Sequence, residues 1–119
     1  MIARIWRGRI KPDQAGEYVE YVNRTGIRDH RKARGNLASV ILTRDQGDET
    51  EILVVSLWES MDAVAGFVEP PTERAVYYPE DRDYLLELEP YVLHYEVPVA
   101  EWEGGHRSRL TDLGPGGIG

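Results

Sequence analysis

His94 and Glu96 lie two residues apart in Tyr91-Val-Leu-His-Tyr-Glu-Val97, so on an extended chain they share one face. A carboxylate so placed can orient an imidazole, and His94 could then act as a general base. Taking the proton of a phenolic substrate would leave a carbanion able to react with oxygen. A histidine bonded across a sheet for structural reasons accounts for the same residues. As the start of a metal site the pair lacks further ligands, so no metal is expected. Around His94 stand Tyr77, Tyr78, Tyr84, Tyr91 and Tyr95. Rings with polar tips suit a pocket for a flat organic ligand, and they equally suit a core or a dimer seam. His30, beside Asp29, is placed either at a pocket mouth or in a solvated loop. Trp6 and Trp58 read as core anchors, and His106, in a glycine-rich tail, carries no signal.

Other chemistries are closed. The absence of cysteine removes disulfides, thiolate metal sites and cysteine nucleophiles. There is no Ser-His-Asp spacing, no Walker loop and no Gly-x-Gly-x-x-Gly entering a helix. The longest apolar stretch, Ile52 to Val55, is far short of a membrane span, and Met1 to Trp6 alternates where a leader would be continuously apolar. A cytoplasmic protein is expected, which makes the Asn23-Arg-Thr25 sequon coincidental. Charge is asymmetric: residues 1–44 hold ten Lys/Arg against four Asp/Glu, and residues 45–119 hold four against seventeen. The basic run Arg24, Arg28, Arg31, Lys32, Arg34 has no aromatic platform or nucleic-acid motif beside it, so pairing with the acidic half is expected rather than nucleic acid.

The elements that must position these groups can be read from periodicity. Ile2–Ile10 carries β-branched and aromatic residues on both parities and reads as a strand. Lys11-Pro12-Asp13 starts a helix, along which Ala15, Tyr18, Val19 and Val22 form one apolar stripe. Gly26 is expected to weaken or end it, leaving 27–36 as a basic connector closed by Gly35-Asn36. Leu37–Arg44 and Glu51–Trp58, joined by Asp45-Gln-Gly-Asp48, form a hairpin whose second arm is apolar on both faces. Ser60 caps a short second helix over Met61–Val68 that Pro70-Pro71 stops. Thr72–Tyr78 and Tyr84–Leu88 each suggest a helical turn, and Tyr91–Val97 a last strand.

The order βαββαβ in 119 residues fits one core and one α+β domain over 1–97, a ferredoxin-like antiparallel four-stranded sheet with both helices on one face. Residues 98–119 then form a C-terminal extension, a loose tail that Trp102 or Leu110 could anchor. A doubly apolar strand with no third layer to cover it calls for a twin chain, hence a homodimer built as a dimeric α/β barrel.

Over roughly residues 1–97 the chain resembles the antibiotic biosynthesis monooxygenase family. The resemblance rests on Ile5-Trp-Arg-Gly-Arg-Ile-Lys-Pro12, Gly35-Asn36, Leu57-Trp-Glu-Ser60, Ala75-Val-Tyr-Tyr-Pro-Glu-Asp81 and Tyr91–Val97. It implies either a cofactor-independent oxygenase of polyketide-like aromatic substrates or a haem-degrading enzyme. In haem-degrading relatives a tryptophan lies nine residues after the Trp-Glu-Ser tryptophan and the ligating histidine ten later; here those places hold Phe67 and Tyr77. The asparagine they carry on the first strand has no counterpart in Ile2–Ile10. Where polyketide oxygenases place an asparagine and a tyrosine around that tryptophan, this chain has Val54 and Val64, so Trp58 alone is retained.

Two readings are open. In one, the protein is a cofactor-free monooxygenase of a small aromatic, polyketide- or quinone-like molecule. His94 and Tyr77 would do its chemistry, and Trp58, Tyr78, His30 and Tyr84 would hold the substrate. In the other it is a non-catalytic dimeric barrel that binds a small molecule or serves a stress role. An ionisable group within reach of a ligand cavity separates the first from the second.

Overall fold

In the computed structural model, which describes residues 1–101, strand alternation sorts the first strand into two chemistries. Strand β1 (Ile2–Ile10) turns Ile2, Arg4, Trp6, Gly8 and Ile10 to one face and Ala3, Ile5, Arg7 and Arg9 to the other. It pairs antiparallel with β3 (Thr50–Trp58) and β4 (Leu93–Glu96), and β3 pairs with β2 (Asn36–Asp45). The sheet order β2-β3-β1-β4 is that of a ferredoxin-like α+β fold. The β2–β3 hairpin closes through Gln46–Glu49, where Gly47 at φ +83° supplies the left-handed residue the turn needs.

One face of this sheet is covered. A short 3-10 turn, Pro12–Gln14, leads into α1 (Ala15–Val22), whose Tyr18, Tyr21 and Val22 are buried against Ile10, Ile52 and Val54. The helix does not stop at Gly26. A π-helical turn over Asn23–Ile27 carries it into α2 (Arg28–Lys32), so most of the expected basic connector is helical. The Thr25 hydroxyl donates to the Tyr21 carbonyl at 2.8 Å, and this bonding of a side chain into the helix accompanies the widened turn. Strand β2 then begins beyond Gly35, where φ is +86° and a Cβ would lie 2.5 Å from that of Ala63. Ser60 caps α3 (Met61–Phe67), accepting from the Ala63 amide at 3.1 Å. Trp58, Val64 and Val68 form a second buried cluster with Ile2.

The segment between α3 and β4 differs from expectation. Thr72–Tyr78 is extended, not helical, because it pairs with the chain entering β4: Ala75 N–H donates to Pro90, Val92 N–H to Glu73, and Arg74 bridges Tyr91. The helical turn lies at α4 (Asp81–Tyr84), ahead of Tyr84–Leu88, because the edge of β1 claims the residues beyond Tyr84. There Leu85 bridges Ile10, and Leu86 N–H donates to the Arg9 carbonyl. The last strand is shorter than Tyr91–Val97, and its alternation is as read. Leu93 and Tyr95 point away from the helices while His94 points toward them. The other sheet face presents Ile5, Val40, Leu42, Leu53, Val55 and Leu93, which no other element among the described residues covers, Leu93 being 58% exposed. At one end of that face Arg7, Arg9 and Arg44 pair with Glu49, Glu51, Glu87 and Glu89, joining the basic half of the chain to the acidic half. The expected anchors Trp102 and Leu110, and His106, lie outside the described residues.

Candidate functional site

Between the covered sheet face and the helices lies a cavity of ≈ 560 Å³ counted out to its mouth, of which ≈ 60 Å³ can hold the centre of a water-sized sphere. The sheet contributes Arg4, Trp6, Val54 and Ser56; the long helix contributes Tyr18, Val22, Thr25, Gly26 and His30. Phe67, Val76, Tyr78, Asp81 and Val92 close it. Thr25 and Gly26 belong to the π-helical turn, so the irregular stretch of helix forms part of the wall. The walls are thus mainly apolar and aromatic, and four buried polar side chains, Arg4, His30, Ser56 and Asp81, interrupt them.

His30 packs edge-on against Phe67, centroids 5.0 Å apart, and against Trp58 at 5.7 Å. Its Nδ1 lies 2.9 Å from Ser39 Oγ. Burial, aided by the positive charge of Arg4, pulls the imidazole down to about 4, so at neutral pH it is uncharged. Asp81 accepts from the Tyr18 hydroxyl at 2.8 Å and from the Tyr78 amide at 2.5 Å. Burial raises its carboxyl above the usual range, although both bonds favour the charged form. Tyr78 donates its hydroxyl to Asp29 at 2.6 Å, tying the cavity wall to α2, and burial raises that phenol. Arg4, 4% exposed, donates to the backbone carbonyls of Thr72 at 2.7 Å and Arg74 at 3.1 Å and to His94 Nε2 at 3.0 Å.

The sequence-expected residues fall into two shells. His30 and Tyr78 line the cavity. Trp58 is fully buried behind it, its Nε1 donating at 2.9 Å to Ser56 Oγ, which does line it. Tyr84 stacks on Tyr18 and Tyr21 and supports the wall from outside. Tyr77 turns its hydroxyl to the Glu89 carbonyl and its ring edge to Trp6. Among the described residues the buried Trp6 Nε1 has no hydrogen-bond partner. His94 is not among the lining residues, and Arg4 occupies its Nε2. Tyr91 and Tyr95 lie on the uncovered side, more than half exposed. Arg4 and Asp81 were missed by sequence reasoning. Arg4 had a signal, a cation in phase with Ile2, Trp6 and Ile10 on the core side of a strand; Asp81 had none beyond its place in the tyrosine-rich segment.

Among the described residues no three His, Asp or Glu side chains are grouped to hold a metal ion. Tyr77, which stands where haem-degrading relatives carry their ligating histidine, commits its hydroxyl to a backbone carbonyl, and the residues present do not fit a haem ligand there. None of the described helices is long and apolar enough to cross a membrane.

A ferredoxin-like sheet with an aromatic cavity under its helices places the chain among small α+β proteins of one recurrent design. The family model for antibiotic biosynthesis monooxygenase matches residues 1–76, and the chain belongs to that family. Its fold is shared with a Bacillus cereus protein provisionally classed as an antibiotic biosynthesis monooxygenase. That structure aligns at a TM-score of 0.61 and 17% identity, covering 84% of this chain and 95% of the other. It is shared too with an arginine-to-serine mutant of MhuD crystallised with two manganese protoporphyrin IX per active site. Here the TM-score is 0.55 and the identity 21%, covering 84% of this chain and 97% of that one. No curated protein matches the chain.

Proposed function

We propose that this protein is a cofactor-independent monooxygenase acting on a small, flat hydroxyaromatic or quinone-like molecule. The observation that carries the reading is the cavity itself: the rings of Trp6, Tyr18, Phe67 and Tyr78 around a few convergent polar groups. Stacking would hold the ring system while the polar groups orient it. The substrate loses a proton, and the resulting electron-rich anion gives an electron pair to dioxygen, forming a carbon–oxygen bond. The peroxide then loses water to leave a carbonyl, so one oxygen atom enters the product and the other leaves as water. His30, neutral and facing the cavity, is the side chain we place against the leaving proton. Tyr78 lines the substrate, Trp58 and Tyr84 back the wall, and Tyr77 and His94 position Trp6 and Arg4.

Oxygen uptake in the presence of a hydroxylated anthrone or naphthalene tests this, with labelled dioxygen to trace the atoms. One labelled atom per product is expected, and His30→Ala should lower turnover by roughly 10² or more, the usual contribution of a general base. A second reading, a binder without chemistry, draws support from the low basicity that burial gives His30. Tight ligand binding with no oxygen uptake for any such compound would favour it.

The uncovered apolar sheet face supports a homodimer joined sheet to sheet, a dimeric α/β barrel with one cavity per chain. We place the protein in the cytoplasm and read residues 98–119 as an extension of the 1–97 domain.

A further inference from the structure

We propose that Arg4 is the anion-holding group of this cavity and that the ligand binds as an already ionised hydroxyaromatic. The inference rests on the oxygenase reading for the location of the site and adds the charge state of the molecule that enters it.

Arg4 is almost fully buried, and among the described residues no carboxylate pairs with it. The ion pairs of the other sheet arginines, Arg7, Arg9 and Arg44, are all on the opposite face. Three of the five guanidinium N–H groups are used, two on the carbonyls of Thr72 and Arg74 and one on His94 Nε2, and each of these acceptors is neutral. The Nε–H and the second Nη2–H have no partner among the described residues. They belong to neighbouring nitrogens of a planar group that matches two adjacent oxygens.

None of the acids in this neighbourhood bonds the guanidinium: among the described residues Glu73 acts on His94 and Asp29 on His30 from a distance. Burial, with the charge of Arg4 added, lowers the basicity of both His30 and His94. Asp81 lines the same cavity, but its two oxygens are taken by the Tyr18 hydroxyl and the Tyr78 amide. A buried, unpaired cation is unfavourable by itself and becomes favourable when an anion arrives. With aromatic walls around it, the anion that fits is planar: a phenolate or enolate with a neighbouring carbonyl oxygen. The proton then left for His30, whose own basicity is low, is the one on the carbon that dioxygen attacks, which departs as the peroxide loses water.

The test is equilibrium binding to the full chain, read by tryptophan fluorescence. Three probes are used: 2-hydroxy-1,4-naphthoquinone, its neutral methyl ether, and 2-naphthoate as a carboxylate of similar shape. The ionised hydroxyquinone should bind at least about tenfold more tightly than the ether, the ordinary worth of a charge-assisted hydrogen bond. Arg4→Met should abolish that preference while leaving affinity for the ether within about threefold, and Arg4→Lys should restore part of it. Equal affinity of the wild type for hydroxyquinone and ether would overturn the proposal. So would a parallel loss of both in Arg4→Met, which marks a structural arginine. If Arg4→Met does not fold, the wild type decides alone, because the preference must vanish below the probe's own pKa. Binding of 2-naphthoate as tight as the hydroxyquinone, against a weak ether, keeps the anion site and makes the carboxylate its source. Charge preference without oxygen uptake removes the oxygenase and leaves the anion site standing. Oxygen uptake with no charge preference does the reverse.

Discussion

Arg4 and His94 face each other directly across the β1–β4 pair, with Nη1 3.0 Å from Nε2. A guanidinium cannot accept a hydrogen bond, so Nε2 accepts and the histidine proton sits on Nδ1. The atom that a general base would need is therefore occupied. His94→Ala leaves one buried N–H of Arg4 unmet, a loss of about 1–3 kcal/mol, and should lower Tm by roughly 4 °C or more. Turnover per folded molecule should fall less than tenfold. A hundredfold loss at unchanged Tm would make His94 the base after all.

Stability should depend on pH below neutrality. His30 titrates at about 4 in the folded protein against 6.5 as its ordinary value. Between those values the unfolded chain binds the extra proton, so stability falls as pH drops from 6.5 toward 4, by at most about 1.4 kcal/mol per pH unit. His94, also lowered by burial, acts in the same sense. Asp81, whose carboxyl is raised, acts oppositely below its own pKa. Urea midpoints for the wild type and His30→Gln should converge toward pH 4 as the histidine's contribution disappears; parallel curves would show that His30 is not the source.

Haem added with a reductant should keep its Soret band. Phe67 packs on His30 and Trp58, and Tyr77 is bonded to the Glu89 carbonyl, so neither supplies the groups of the haem-degrading relatives. Tyrosine can ligate iron, and binding alone would leave this expectation intact. Progressive bleaching with iron release would contradict it.

Sedimentation at micromolar concentration should give twice the mass of one chain. Val55 lies near the middle of the uncovered face, between Ile5 and Val40, and Val55→Asp should yield monomers by burying a charge in the seam. Sheet-to-sheet interfaces of this kind bury roughly 2,000 Å² or more. A folded wild-type monomer would exclude the barrel.

The strands and the cap at Ser60 were legible because each rests on local rules, alternation and a side chain reaching three residues on. Thr72–Tyr78 was not, because its conformation is set by Arg4 and by the chain at Pro90, contacts 15 to 70 residues away. The tyrosine-rich segment could be recognised as aromatic but not divided. Pleating sends Tyr95 to the open face, while Tyr78 reaches the cavity through the loop before α4. Arg4 is readable in principle from its phase, alone among apolar residues on its parity, but Arg7 and Arg9 on the other parity make arginine look like a general feature of the strand.

The π-helical turn over Asn23–Ile27 interrupts the regular bonding of the long helix. It holds one residue more than an α-helix would use, and Thr25 and Gly26 place that surplus on the rim of the cavity. Deleting Gly26 would let the helix close into regular register and should raise Tm, while shifting His30 and Asp29 by about 100° around the axis. The result would be a sturdier protein with its chamber dismantled. An unchanged cavity in that deletion, seen as undiminished ligand binding, would mean the extra residue is incidental.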